Sequence, residues 1–178
     1  MMEWSNEPPQ WTEAGDALSV VTGPGTDFWR KTHDGGTRDN GHFYHREVTG
    51  DFQAVVDVEG EYRELYDQAG LMVRLDESTW VKCGIELVEG VQQMSAVVTR
   101  DYSDWSVVPL SHPPASARIR VTRHQGTVEV HYALDDGPIT LLRQAHLTES
   151  PALQVGPMCA SPTGPGFRVR FQGFGLQT

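Results

Sequence analysis

The chain has 178 residues, a formal net charge of −10 and 18 glycines, and hydrophobic residues make up 38% of it. This composition excludes a disordered chain, and the excess of acidic residues, with basic ones only scattered, disfavours a nucleic-acid partner. No apolar run approaches the roughly 18 residues of a membrane span, and the N-terminus lacks the basic start and apolar run of a secretory signal. We therefore expect one soluble, cytoplasmic domain over residues 1–178 that contacts neither membranes nor nucleic acids.

Alternation of apolar and polar residues with a period of two dominates the chain, and this pattern is typical of strands whose successive side chains face opposite sides of a sheet. It predicts twelve strands, at residues 17–21, 42–48, 51–59, 68–75, 79–87, 93–100, 104–108, 117–124, 127–134, 138–144, 152–158 and 166–174. Turns rich in glycine, proline and aspartate separate many of them. Many short strands with frequent turns predict an all-β sandwich or barrel.

The segment from Gly23 to Gly41 shows the least regular pattern in the chain. A connection of this length is either a functional loop or a long crossover between strands.

The strands predicted at 68–75 and 79–87 are separated by only three residues, which favours a hairpin. In the second strand one face carries Val81, Cys83 and Ile85, whereas the other carries Lys82 and Glu86. Pairing would place Gln68 and Gly70 of the first strand on the same face as these two charged residues. The pattern therefore predicts a hairpin with one apolar face and one face that carries polar and charged side chains.

The two cysteines, Cys83 and Cys159, are far apart in the sequence and form no CxxC motif. This disfavours a zinc site or thioredoxin-like chemistry. In a reducing compartment we expect two free, buried thiols.

Ordered blocks of residues along nearly the whole chain carry a family resemblance. They are Thr26-Asp27-Phe28-Trp29, Asp39-Asn40-Gly41-His42, Tyr66 through Arg74, Trp80-Val81-Lys82 with Glu86, Val97-Val98-Thr99, Ser103-Asp104-Trp105-Ser106, and Gly156-Pro157 through Ser161-Pro162. With these blocks the chain resembles the regulation-of-enolase protein family, also called domain of unknown function 1349, within the concanavalin A-like lectin and glucanase superfamily.

The resemblance implies a jelly-roll sandwich of two curved antiparallel sheets, whose concave face holds sugar in lectins and glucanases. It implies no known activity, because fold alone does not determine function. The family name comes from a role of one member in regulating enolase, which adds a protein-interaction module for a metabolic enzyme as an alternative function.

The polar faces of these strands supply a candidate ligand-binding site on this concave face. Its members are Asp67, Gln68, Trp80, Lys82, Glu86, Thr99, Asp104 and Trp105, with Trp29 and His42 at its border. Tryptophan planes beside carboxylate, amide and ammonium groups suit a small polar ligand such as a saccharide. The alternative is that Lys82 and Glu86 form an ion pair on a solvated sheet while the tryptophans cap the edges of the core.

A glycoside hydrolase is the enzymatic alternative, with Glu86 and either Asp67 or Asp104 as its catalytic carboxyl groups. Retaining glycosidases need two carboxyl groups about 5 Å apart. The strand at 79–87 offers one where alternate residues would supply a pair, which favours a binding domain over an enzyme. A second acidic set, Asp57, Glu59 and Glu61, lies on one face of its strand and is expected to be solvated.

Histidine and aspartate residues gather in and just after the early segment, where they could in principle hold a metal ion. The group consists of His33, Asp34, Asp39, His42 and His45. Their loose spacing favours polar loop residues over metal ligands. We therefore predict no metal and no cofactor.

Overall fold

The computed structural model describes residues 1–178 and contains sixteen strands and no helix. The strands are β1 (Glu3–Ser5), β2 (Gln10–Ala14), β3 (Ala17–Val21), β4 (Phe28–Arg30), β5 (Thr37–Asp39), β6 (His42–Thr49), β7 (Phe52–Gly60), β8 (Gln68–Asp76), β9 (Thr79–Val88), β10 (Val91–Arg100), β11 (Tyr102–Pro109), β12 (Ala117–His124), β13 (Thr127–Leu134), β14 (Thr140–His146), β15 (Ala152–Ala160) and β16 (Arg168–Gln177). The chain has no helix that is long and apolar enough to cross a membrane.

Fourteen of these strands form two seven-stranded antiparallel sheets. The front sheet has the order β1-β6-β15-β8-β9-β10-β11, and the back sheet has the order β14-β13-β12-β7-β16-β3-β2. The remaining two, β4 and β5, pair only with each other. This architecture confirms the predicted all-β sandwich of two antiparallel sheets.

The hydrophobic core lies between the sheets because each strand directs alternate side chains inward. Leu71 and Val81 of the front sheet and Val56 and Ile119 of the back sheet belong to one cluster of 29 buried residues. Removal of this apolar surface from water is the main driving force that holds the sheets face to face.

The twelve predicted strands are all present, with ends displaced by up to three residues. The four strands that the sequence pattern did not reveal are β1, β2, β4 and β5, which have three to five residues each. Runs this short cannot display a period of two clearly. The predicted irregular segment therefore contains a small hairpin, β4–β5.

Both cysteines are buried and free, as predicted. Burial raises the pKa of the Cys83 thiol to about 12 and raises that of Cys159 as well. Neither thiol is a reactive nucleophile, because the thiolate is the reactive form.

Candidate functional site

The outer face of the front sheet, which is directed away from the core, carries the polar and charged residues of the predicted site. Gln68 on β8 lies opposite Glu86 on β9, and Lys82 on β9 lies opposite Val97 on β10. Val97 in turn lies opposite Trp105 on β11. Gln68, Lys82, Glu86 and Trp105 therefore share one face, as the hairpin pattern predicts.

Two glycines on neighbouring strands open a gap in the side chains of this face. Gly70 on β8 lies directly opposite Gly84 on β9. A Cβ atom at Gly70 would lie 1.8 Å from the carbonyl oxygen of Cys83, so no larger residue fits. Between Lys82 and Glu86 the sheet thus presents bare backbone.

Residues 23–41, hereafter the strap, cover one half of the outer face. Phe28 of the strap is completely buried and belongs to a second, smaller apolar cluster. Its other members, all from the front sheet, are Phe43, Met72, Trp80, Val97 and Met158. This half of the predicted concave site is therefore filled with packed hydrocarbon.

Ion pairs fasten the strap at two places. Both guanidinium NH groups of Arg74 donate to the carboxylate of Asp39, at 2.5 and 2.8 Å. Asp101 accepts hydrogen bonds from Arg30 and Lys31 at 3.0 and 2.7 Å. Such bidentate and charge-assisted bonds hold the strap in one position on the sheet.

The half that the strap does not fill with hydrocarbon carries a polar patch, defined here as Asp27, Tyr66, Gln68, Lys82, Glu86, Ser95 and Trp105. Gln68, Lys82, Glu86 and Ser95 are themselves buried, whereas Trp105 is exposed. The sequence pattern predicts four of these residues but not Asp27, Tyr66 and Ser95. Asp27 and Tyr66 stand in the family-like blocks but lie outside the predicted strands, so alternation could not place them on a face. Ser95 is two residues before Val97 on β10, and the same alternation would have found it.

Lys82 is held by the strap and not by Glu86. Its Nζ donates to the carbonyl oxygen of Phe28 at 2.6 Å and to Asp27 Oδ1 at 3.2 Å. The same Asp27 oxygen accepts weakly from Gln68 Nε2 at 3.5 Å. The alternative of a Lys82–Glu86 ion pair is therefore wrong, because the strap brings Asp27 within reach of the ammonium.

Glu86 is a buried carboxylate without a direct cationic partner. Only 6% of the residue is exposed, and its Oε2 accepts a hydrogen bond of 3.0 Å from the indole Nε1 of Trp105. Burial raises the pKa of Glu86, and Lys82, Ser95 and Trp105 offset part of this rise. A buried acid with a perturbed pKa beside an exposed tryptophan is a candidate functional group.

Trp105 borders Glu86, and Tyr66 packs against Trp105. Trp105 is 41% exposed, and its ring lies 6.2 Å from that of Tyr66 at an interplanar angle of 80°. Tyr66 has a backbone φ of 69°, a conformation that bulky residues rarely adopt. Strain of this kind persists only where the surroundings enforce it, and it is concentrated at functional sites.

Asp67 enforces the turn that carries Tyr66. It is fully buried, and its Oδ2 accepts the backbone amides of Arg63 and Glu64 at 3.0 and 2.9 Å. Its Oδ1 accepts the hydroxyl of Ser161 at 2.6 Å. The prediction that Asp67 contacts a ligand is therefore wrong, because every direction around its carboxylate is occupied by the protein.

Three further predicted site residues serve the strap or the fold. Trp80 is 1% exposed beneath Phe28, and Thr99 is completely buried with its hydroxyl bonded to that of Ser103. Trp29 packs against the same apolar cluster and donates its indole NH to the carbonyl oxygen of Thr32. Trp80 and Thr99 are covered, so the expectation that they line an open cleft is wrong, whereas Trp29 is partly buried at the side of the strap.

His42 is likewise structural. Its Nε2 accepts the amide of Gly23 at 2.8 Å, so the other ring nitrogen carries the proton and donates to the carbonyl oxygen of Asn6. Burial lowers the pKa of His42, which favours this neutral imidazole. His42 thus fixes the beginning of the strap.

Asp104 does not reach the polar patch. It pairs with Val98, whose side chain points into the core, so Asp104 lies on the face of β11 opposite to that of Trp105. Neither Asp67 nor Asp104 therefore faces Glu86, and the carboxyl pair of the glycosidase alternative is not assembled. Nor do any three His, Cys, Asp or Glu side chains form a group that could hold a metal ion.

Solved structures share this architecture. A protein from Saccharomyces cerevisiae, described as functionally unknown, is 37% identical and superposes with a TM-score of 0.95 over 99% of this chain and 96% of its own. The carbohydrate binding module CBM66 from Bacillus subtilis, at 13% identity, gives a TM-score of 0.59 over 98% of this chain and 95% of its own. At such low identity the second likeness establishes the fold alone.

Sequence comparison identifies the family. The protein named Regulation of enolase protein 1 of Saccharomyces cerevisiae is 38% identical over 173 residues, which span 97% of this chain and 87% of that protein. The family model described as protein of unknown function, DUF1349, matches residues 4–178. The chain therefore belongs to this family, as the ordered sequence blocks predict.

Proposed function

We propose that this chain is a cytoplasmic binding domain whose polar patch takes a small saccharide or sugar-like ligand. The observation that carries the proposal is the buried Glu86 carboxylate, bonded to the half-exposed Trp105 on a face that the strap leaves uncovered. Burial without an ion pair raises the pKa of Glu86, so its ionised form opposes folding, and a role in binding accounts for a carboxyl group at this position.

The residue types of the patch suit a sugar. The exposed face of Trp105 offers a flat apolar surface for the C–H groups of a sugar ring. Glu86 and Gln68, on directly opposed positions of neighbouring strands, offer hydrogen-bonding groups for its hydroxyls. The likeness in fold to a carbohydrate binding module supports this ligand class.

Binding is tested by ligand-observed NMR with a panel of neutral monosaccharides and oligosaccharides at millimolar concentration. Trp105→Ala removes the aromatic platform, and we expect it to abolish binding without unfolding the protein. Tyr102→Ala is the matched control, because Tyr102 is an exposed aromatic residue on the same strand outside the patch. No binding by the wild type, or equal loss in both variants, would refute the proposal.

A second candidate function is regulation of a metabolic enzyme, such as enolase, by direct contact. It is favoured by the name of the Saccharomyces cerevisiae relative, which matches almost the whole of this chain. The test is surface plasmon resonance between purified enolase and this protein, with Trp105→Ala and Tyr102→Ala alongside the wild type. Binding that survives both substitutions would place the partner surface away from β11.

A further inference from the structure

We infer that the group bound next to Glu86 is an ammonium, so that the preferred ligand is an amino sugar with a free amine. This inference rests on the proposed function and specifies the chemistry of its ligand. It starts from the balance of charge within the polar patch.

The patch contains two carboxylates but one ammonium. Lys82 is 4% exposed and is bonded to Asp27 and to the carbonyl oxygen of Phe28, so its charge is already neutralised and its position fixed. Glu86 has two neutral donors, the Trp105 indole NH and the Ser95 hydroxyl, and no ion pair. An ionised Glu86 therefore has no counter-ion of its own in the patch, and a single positive charge on a ligand would supply one.

The aromatic residues around Glu86 favour the same ligand. The rings of Trp105 and Tyr66 stand nearly perpendicular and form two adjoining walls. An ammonium group is attracted to the face of an aromatic ring, and the attraction is greatest for tryptophan. The exposed ring of Trp105 beside a carboxylate without an ion pair forms a combination that binds cations better than neutral hydroxyl groups.

A neutral sugar would make fewer favourable interactions with the patch. Its hydroxyl groups can donate to Glu86, but the buried negative charge would stay without a counter-ion. Lys82 cannot supply one without leaving Asp27 and the Phe28 carbonyl. A sugar amine supplies both the hydrogen bonds and the charge, while the ring still stacks on Trp105.

The experiment compares glucosamine, N-acetylglucosamine and glucose by isothermal titration calorimetry at low salt. N-acetylation keeps the nitrogen but removes its charge. Because charge-assisted hydrogen bonds exceed neutral ones by a kilocalorie or more, we expect glucosamine to bind at least about tenfold more tightly than the other two. This comparison uses the wild-type protein alone, so it does not depend on the folding of any variant.

The variants Glu86→Gln and Asp104→Asn then test whether the preference for glucosamine depends on Glu86. Glu86→Gln keeps an acceptor for the Trp105 indole but removes the charge, and we expect the three sugars to bind equally. Asp104→Asn removes one negative charge on the opposite face of β11 and should keep the preference for glucosamine.

Two results would overturn the inference in distinguishable ways. Equal affinities for the three sugars in the wild type, or a preference that survives Glu86→Gln, would refute the ammonium site while leaving saccharide binding in place. Absence of binding for all three sugars, together with no response to the wider neutral panel, would refute both the inference and the proposed function.

Discussion

Phe28→Ala tests whether the strap closes half of the outer face of the front sheet. Phe28 is completely buried, its ring lies 6.3 Å from that of Trp80, and the guanidinium carbon of Arg74 lies 5.9 Å from its ring centre. Removal of a fully buried phenylalanine ring costs about 3–5 kcal/mol of unfolding free energy, because transfer and cavity terms add. We therefore expect a loss of this size.

The assay is urea unfolding followed by far-ultraviolet circular dichroism, with the slope on urea checked so that the midpoint shift reports stability. Leu141→Ala is the control, since Leu141 is 54% exposed on the back sheet and its loss should cost no more than about 0.5 kcal/mol. A cost below about 1 kcal/mol for Phe28→Ala would show that the strap does not pack on the sheet, and the division of the face into covered and uncovered halves would be refuted.

Two further substitutions separate residues that support the patch from residues that act in it. Asp67→Asn should lower stability by about 1–3 kcal/mol in the same urea assay, because a neutral amide oxygen accepts less strongly from the two backbone donors and the amide nitrogen cannot accept the Ser161 hydroxyl; unchanged stability would contradict its structural role. Glu86→Gln should instead raise stability at neutral pH. Burial raises the pKa of Glu86 in the folded state, so the protonated side chain contributes to the free energy of unfolding. This contribution is complete below the ordinary glutamate pKa of 4.5 and is lost as the pH rises through the folded-state pKa. The difference between wild type and Glu86→Gln should therefore shrink as the pH falls toward 4, and a pH-independent difference would contradict the cause assigned to the shift.

The sandwich could be predicted from the sequence because the alternation in strands such as β8 and β9 is long and regular. Each has nine or ten residues with apolar side chains on one face, and their short connection leaves little choice of partner. The shared face of Gln68, Lys82 and Glu86 follows from that register alone. The fold and this part of the patch are therefore consequences of local pattern.

The strap could not be predicted in the same way. Its strands have three residues each, and nothing in their pattern shows that Phe28 packs over Trp80. The partner of Lys82 depended on this packing, because Asp27 is 55 positions earlier in the chain. Trp80 and Trp105 look equivalent in sequence, yet one is buried by the strap and the other is exposed.

Asp104 shows that residue type alone does not predict which side chains reach a binding site. A carboxylate next to an exposed tryptophan suggests a binding site, but adjacent residues of a strand face opposite sides of the sheet. The register of β11 against β10 places Asp104 with Val98 and Trp105 with Val97. Parity along the strand, not proximity in sequence, decides which side chain reaches the patch.

The indole NH of Trp105 reports the central claim most directly, because it donates its hydrogen bond to Glu86. In a ¹H–¹⁵N spectrum, the chain's 5 tryptophans give 5 indole signals, and the spectrum of Trp105→Phe assigns the one in question. Titration with a saccharide that binds should shift this signal progressively and leave that of the buried Trp80 nearly unchanged. A sugar that binds without moving the Trp105 signal would contradict the account.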